Sequence, residues 1–273
     1  IARQAGRGMA LYLMLTSSMD TSGLECPLPG YRDTNLYFNQ FKSVIRNYRN
    51  EKDAEFLLPE DDEVRQSCEQ QFYVALSDEE YQNRMSDPEV QEFISLAIAN
   101  TDYAMTLARH MELGGIRKVA IHGDTKLDNF LFCNDTLYSK AMVDLDTIMP
   151  QTWLVDWGDM VRSLVNVAGE KEEDLSKIQV DTEVYEAVLD GFLSANPDIT
   201  ENEKALMVDA VQIIALELGI RFLGDYLRGD TYFRRGENDP INLNRTRGLV
   251  QLTLFKRLRD CAKDMQAKSD QHQ

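Results

Sequence analysis

Apolar positions along this chain recur mostly at helical spacing, with one short interruption near the middle. Residues 1–17 read as a helix, ended by the polar run Thr16-Ser17-Ser18. Residues 21–34 contain Gly23, Pro27, Pro29 and Gly30 and read as an irregular loop. Helical spacing returns from Asn35 to Tyr48 through Leu36, Phe38, Phe41, Val44 and Ile45. The stretch Glu51 to Glu63 is acidic and is expected to be solvated. Asp78 to Leu113 is helical again, as two helices broken near Asp87-Pro88 and stopped by Gly114-Gly115.

The period then changes. Lys118 to Ile121, Phe130 to Phe132 and Lys140 to Val143 are short β runs, with turn chemistry at Asn134-Asp135-Thr136. Beyond Asp156 the pattern predicts helices over 157–168, 183–194, 202–228 and 243–267. The 202–228 segment is apolar on most sides and is expected at the centre of the fold. The tail Ala267 to Gln273 is expected to fray. The predicted class is α+β, mostly α, with a small β-hairpin island. The chain divides into a helical part, 1–117, with its irregular loop 21–34, then the island at 118–160, then a second helical part, 161–273. It has no internal repeat.

Composition narrows the partners. Among 273 residues, 29 Lys and Arg face 46 Asp and Glu, a net charge of −17. A nucleic-acid groove or an anionic membrane surface needs clustered cations, so neither partner is expected. A small anion delivered with a cation is still admitted. The most apolar run, Ala205 to Leu223, contains Asp209, Gln212, Glu217 and Arg221, which a membrane span would not carry. The four cysteines, Cys26, Cys68, Cys133 and Cys261, lie far apart with no C-x-x-C pair, and read as reduced thiols. With no secretory leader in the sequence, the expected location is the cytoplasm.

The β island carries the candidate chemistry. Residues 122–129 read His-Gly-Asp-Thr-Lys-Leu-Asp-Asn, directly after a β run. Asp144 stands at the end of the third run, fifteen residues after Asn129. If the last two runs pair as an antiparallel hairpin, Asn129 at the start of one strand meets Asp144 at the end of the other. Oxygen donors of this kind suit Mg²⁺, and a carboxylate upstream, Asp124, can accept a proton from an attacking hydroxyl. Each residue also has a plain reading. His122 can be a hydrogen-bonded structural residue, Asp124 an Asx-turn, Asn129 a turn residue, and Asp144 and Asp146 solvated strand ends. Together, on a strand-loop-hairpin frame, they point to phosphoryl transfer.

The octet H-G-D-T-K-L-D-N, followed by V-D-L-D-T, resembles the catalytic and metal-binding loops of the aminoglycoside phosphotransferase and choline kinase superfamily, which has the protein-kinase-like fold. The stretches D-W-G-D-M-V-R-S at 156–163, R-F-L-G-D-Y-L-R-G-D-T-Y-F at 221–233 and N-L-N-R-T-R at 242–247 are similar to its N-acetylhexosamine kinase-like branch. The resemblance implies a protein-kinase-like C-terminal lobe that uses ATP and Mg²⁺. It makes Asp124 the catalytic base, with His122 in the catalytic set as the residue that positions the loop. It makes Asn129 and Asp144 metal ligands and Asp146 a less direct metal group. Asp156 and Asp159 become structural supports, with Asp156 capping the helix it opens and Asp159 in its first turn. Arg221 and Tyr232 become the acceptor-binding pair; the plain alternative for Arg221 is a salt bridge to Asp225 one turn on.

The implied function is phosphorylation of a hydroxyl on a sugar such as an N-acetylhexosamine. The alternatives are an aminoglycoside- or choline-type kinase, or a catalytically silent C-lobe serving as a binding module. The chain opens Ile-Ala-Arg-Gln, directly in a helical pattern; its first lysine is Lys42, and Gly6-Arg-Gly8 falls within a predicted helix. The superfamily's N-terminal ATP-binding lobe, with its phosphate-covering loop and strand lysine, is therefore expected to be missing from these residues, by truncation or by nature. A lone C-lobe is expected to bind ATP weakly, and to self-associate through the face that the other lobe would cover.

Overall fold

The structure, a computed structural model, describes residues 1–271. Chain order begins with α1 (Ala2–Thr16) and α2 (Thr34–Ile45), separated by the irregular loop 21–34. Asp33 caps α2, accepting from the Leu36 N–H at 3.0 Å. Short helices α3 (Glu51–Ala54) and α4 (Asp62–Cys68) follow. The acidic stretch 51–63 is not wholly solvated as expected, because Ala54 is buried with Leu36, Cys68 and Phe72 in a small satellite core, with Leu57 and Leu58 packed against it.

Next come α5 (Asp78–Met85), α6 (Pro88–Ala99), α7 (Thr101–Ala104) and α8 (Thr106–Glu112). Ser77 and Glu80 form a capping box on α5. Asp87 caps α6 with Pro88 at its first position, which is the physical content of the predicted break. The β runs are β1 (Val119–Ile121), β2 (Phe130–Phe132), β3 (Ser139–Met142) and β4 (Met149–Gln151). The island is two two-stranded antiparallel sheets rather than one hairpin. β2 pairs with β3 as expected, and β4, which the periodicity missed, returns to pair with β1. Met-Pro-Gln has little strand propensity, and its pairing is decided by long-range contact with a buried strand.

The C-terminal helices are α9 (Trp153–Val165), α10 (Thr182–Leu193), α11 (Glu201–Ala205), α12 (Met207–Arg228) and α13 (Leu243–Gln271). Three boundaries differ from the sequence pattern. α9 starts at Trp153 with Thr152 as its cap, so Asp156 does not open or cap the helix but sits one turn inside it. The 202–228 segment breaks at Leu206, which divides α12 from the separate short helix that the Thr200–Glu203 capping box opens. The tail stays helical to Gln271 because Ser269 is buried and bonds the Tyr185 hydroxyl at 2.8 Å; residues 272–273 lie outside the described residues.

α12 is the centre of the main core, as its pattern predicted. Nineteen of its 22 residues are buried, which leaves no polar face, so α2, α9 and α13 pack around it. Gly6 and Gly8 both lie within α1. A Cβ at Gly6 would meet the Val188 carbonyl oxygen at 2.0 Å, so glycine there serves the close packing of α1 on α10. Among the described residues, no helix is long and apolar enough to cross a membrane.

Candidate active site

The loop after β1 is held through its own backbone N–H groups by a buried carboxylate. The His122 and Gly123 N–H groups donate to Asp156 Oδ2 and Oδ1 at 2.7 and 2.8 Å, and the Thr125 hydroxyl donates to the Asp156 carbonyl at 2.5 Å. Asp156 is fully buried in α9. Burial pushes its carboxyl up to about 6, against the two N–H donors, which favour the charged form. Gly123 has φ +87, and a Cβ there would come within 2.4 Å of the Thr147 carbonyl oxygen, so the turn requires glycine.

His122 is wholly buried and spends both ring nitrogens on backbone. Its Nδ1 accepts from the Asp124 N–H at 3.3 Å, which leaves Nε2 to donate to the Val143 carbonyl at 2.9 Å. Its own carbonyl accepts from the Thr147 hydroxyl at 2.7 Å. His122 thus ties the loop to the β3 end and to the following turn.

Asp124 faces out of this frame. Lys126 Nζ and Asn129 Nδ2 both donate to its Oδ2, at 2.6 and 3.0 Å, and Asn129 Nδ2 also reaches the Asp124 carbonyl at 2.7 Å. The amide nitrogen of the buried Asn129 is committed to Asp124, so its oxygen is the atom left for a cation. Across the hairpin, the Val143 N–H donates to the Asn129 carbonyl at 2.9 Å, which brings the following residue, Asp144, to the same end. Asp144 is exposed and takes the left-handed conformation, φ 67, which turns the chain into the short 3₁₀ segment Leu145–Thr147. Asp146 lies exposed on that segment.

Behind the loop runs a chain of alternating charge that the sequence did not announce. Arg32 is buried with φ 60, and donates to the Gly123 carbonyl and to Asp159 Oδ2; Glu217 stands 3.6 Å away. Asp159 takes two further bonds from Arg162, which pairs with Glu170, which pairs in turn with Arg247. Burial pushes the Asp159 carboxyl up, but the Arg162 and Arg32 guanidiniums outweigh it and bring it down to about 2. Arg162 at three residues after Asp159, and Lys126 two after Asp124, were visible signals. Arg32 and Glu217 carried none, because their partners are distant in sequence.

Arg221 does not pair with Asp225. That carboxylate caps the 231–233 turn through the N–H groups of Thr231, Tyr232 and Phe233, and bonds Arg228 and Asn244. Arg221 instead lies among aromatic rings, 4.3 Å from the Tyr37 centroid and within 5.6 Å of those of Tyr31, Tyr232 and Phe233. Its Nη2 reaches the Tyr232 hydroxyl at 3.4 Å. Asp124, Lys126, Asp159, Arg221 and Tyr232 all line one open cleft of about 370 Å³. His122, Asn129, Asp144, Asp146 and Asp156 do not line it.

A carboxylate-bearing loop, an oxygen-lined hairpin end and a polar cleft thus meet on a mostly helical frame. The family model of the phosphotransferase enzyme family, APH, matches residues 19–189, more than half of the chain, including the 122–129 loop, both sheets and α9. This chain belongs to the phosphotransferase enzyme family and has its kinase-like fold.

Proposed function

We propose that this protein transfers the γ-phosphoryl group of ATP, with Mg²⁺, to a hydroxyl of a neutral sugar such as an N-acetylhexosamine. The observation that carries this reading is the single cleft that Asp124 shares with the Arg221–Tyr232 pair, a carboxylate and a guanidinium–hydroxyl couple in one space. Lys126 and Asn129 both hold Asp124 Oδ2, which fixes the carboxylate and leaves Oδ1 to take the proton of the attacking hydroxyl. Arg32 and Asp156 hold the backbone on either side of Gly123, so the base is positioned before the acceptor arrives.

The donors fit magnesium. Asn129 through its amide oxygen and Asp144 through its carboxylate would hold the ion, with Asp146 a further carboxylate on the same turn. Two protein oxygens are an ordinary share for an ion that otherwise keeps water and phosphate. Bound there, Mg²⁺ supplies neutralisation of phosphate charge. His122 and Asp156 position the loop, and Asp159 anchors Arg32 and Arg162.

Two features favour a neutral acceptor over a cationic one. The cleft carries five cationic side chains, Arg32, Lys126, Arg162, Arg221 and Arg247, against Asp124, Asp159 and Glu170. In a chain of net charge −17 this concentrates positive charge where phosphates must come, and opposes a polycationic aminoglycoside. A choline head group would need aromatic faces, and Arg221 already covers those of Tyr31, Tyr37, Tyr232 and Phe233. The intact Asp124–Asn129–Asp144 set favours an enzyme over a silent binding module.

The test is to incubate the full-length protein with Mg-ATP and, separately, N-acetylhexosamines, an aminoglycoside and choline, and to detect the phosphorylated product by ³¹P NMR. A sugar phosphate that disappears in Asp124→Asn is the expected result. Phosphorylation of the aminoglycoside or choline alone would replace the sugar assignment.

A further inference from the structure

We infer that the acceptor cleft has a second compartment that takes a second neutral, hydroxyl-bearing ring, so that the preferred acceptor is a disaccharide or glycoside rather than a free monosaccharide. This rests on the sugar-kinase function proposed above. A polar cavity of about 350 Å³ lies beside the acceptor cleft, and the two share Lys126, Arg162 and Glu170 as a common wall. Each is of a size that encloses a small organic ligand.

Two orphaned groups line the second compartment. Asn166 is 5% exposed and Gln251 is 1% exposed. Asn166 Nδ2 donates to the Gly169 carbonyl at 3.1 Å, and Gln251 Nε2 donates to Glu170 Oε1 at 3.4 Å. Both partners are acceptors, so each amide must present its nitrogen to them and cannot be turned over. Asn166 Oδ1 and Gln251 Oε1 are therefore fixed as acceptors, and both are buried without a hydrogen-bond partner. Buried unpaired carbonyls are uncommon, because desolvation goes uncompensated.

The remaining walls define the class of ligand. The Ser163 hydroxyl donates to the Met160 carbonyl at 2.8 Å, so it offers the cavity lone pairs. Asp128 and Glu170 add carboxylates, and Lys126 and Lys171 add ammonium donors. An anionic group would meet amide, hydroxyl and carboxylate oxygens, and a cationic group would meet Lys126, Arg162 and Lys171. A hydroxyl donates to the amide oxygens and accepts from the lysines, so a neutral polyol satisfies both sets. With the phosphorylated ring at Asp124, Arg221 and Tyr232, its neighbour passes Lys126 into this space.

The test is calorimetric titration of the full-length protein with an N-acetylhexosamine and with a neutral disaccharide that ends in it. The disaccharide is expected to bind about tenfold tighter, the value of one or two hydrogen bonds to otherwise unpaired acceptors. Gln251→Leu should abolish that gain and leave monosaccharide affinity unchanged, with an equal or higher Tm because an orphaned acceptor is removed. Ser163→Leu, which fills the compartment from a half-buried position, should do the same without touching Gln251. Equal affinity for the two sugars in the wild type would overturn the second compartment while sparing the sugar-kinase function, as would a Gln251→Leu loss shared by both. If neither sugar binds, that function falls and the compartment assignment falls with it.

Discussion

The Arg32 guanidinium donates twice to the carbonyl oxygen of Gly123, from Nε at 3.0 Å and from Nη2 at 2.7 Å. The same Nη2 bonds Asp159 at 2.9 Å. A residue from the irregular loop 21–34 thus holds the peptide that immediately precedes Asp124, and links it to the α9 carboxylate. The planar fork allows one side chain to serve both partners, which an ammonium on a flexible stem does not reproduce.

Arg32→Lys should therefore keep the charge and lose the geometry. Turnover is expected to fall by roughly 10–100-fold through misplacement of Asp124. Arg32→Met should in addition cost about 3–5 kcal/mol of stability, because Glu217 loses its buried guanidinium and Asp159 loses one of two. Steady-state kinetics and urea unfolding measure the two effects; wild-type turnover in Arg32→Lys would remove the positioning role.

Asp156 gives a pH signature. Its folded carboxyl titrates at about 6, raised by burial above the ~4 of an unfolded chain. Folding thus favours the protonated form, and that contribution, present below about pH 4, is lost as pH rises through 6, by roughly 3 kcal/mol in full. Asp159, brought down to about 2 in the fold, runs the other way: its contribution is present above about pH 4 and is lost as pH falls toward 2. The stability of the wild type relative to Asp156→Asn should fall between pH 4 and 6 and then level off. Parallel profiles from pH 3 to 8 would mean that Asp156 does not titrate in this range.

Gly123→Ala should disrupt the loop at its tightest point. The new methyl would lie 2.4 Å from the Thr147 carbonyl oxygen, on a backbone at φ +87. A destabilisation of about 1–3 kcal/mol is expected, together with lost turnover, because the loop must move to relieve the clash. Thermal unfolding and product formation check it; an unchanged Tm would mean that the turn opens freely.

Arg221 and Tyr232 are expected to act on acceptor binding. Tyr232→Phe removes the hydroxyl that Arg221 reaches, and Arg221→Lys removes the guanidinium that lies over the Tyr37 ring. Each should raise the acceptor KM by about tenfold or more and leave the KM for ATP close to wild type. An equal rise in both constants would place the pair outside the acceptor site.

The local spacing of residues was enough to predict much of this protein. The helical period marked α12 as central, and Asp87-Pro88 marked the break before α6, since caps and apolar stripes are written in consecutive residues. The hairpin that brings Asp144 to the Asn129 end was also legible, because an antiparallel pair joined by a turn is a local object. Only the tertiary structure decided how that loop is held. The β1–β4 pairing, the Asp156 carboxylate beneath His122 and Gly123, and the Arg32 bridge join residues 28 to 127 positions apart. Asp156 looks like a helix cap in sequence and becomes a brace because α9 begins three residues earlier, at Trp153. Arg221 looks like half of an i,i+4 salt bridge, but the 231–233 turn takes Asp225 for its own amides, and the guanidinium is left to the aromatic rings. A charge pattern shows which groups could pair; which pairs form depends on competition among partners that folding brings together.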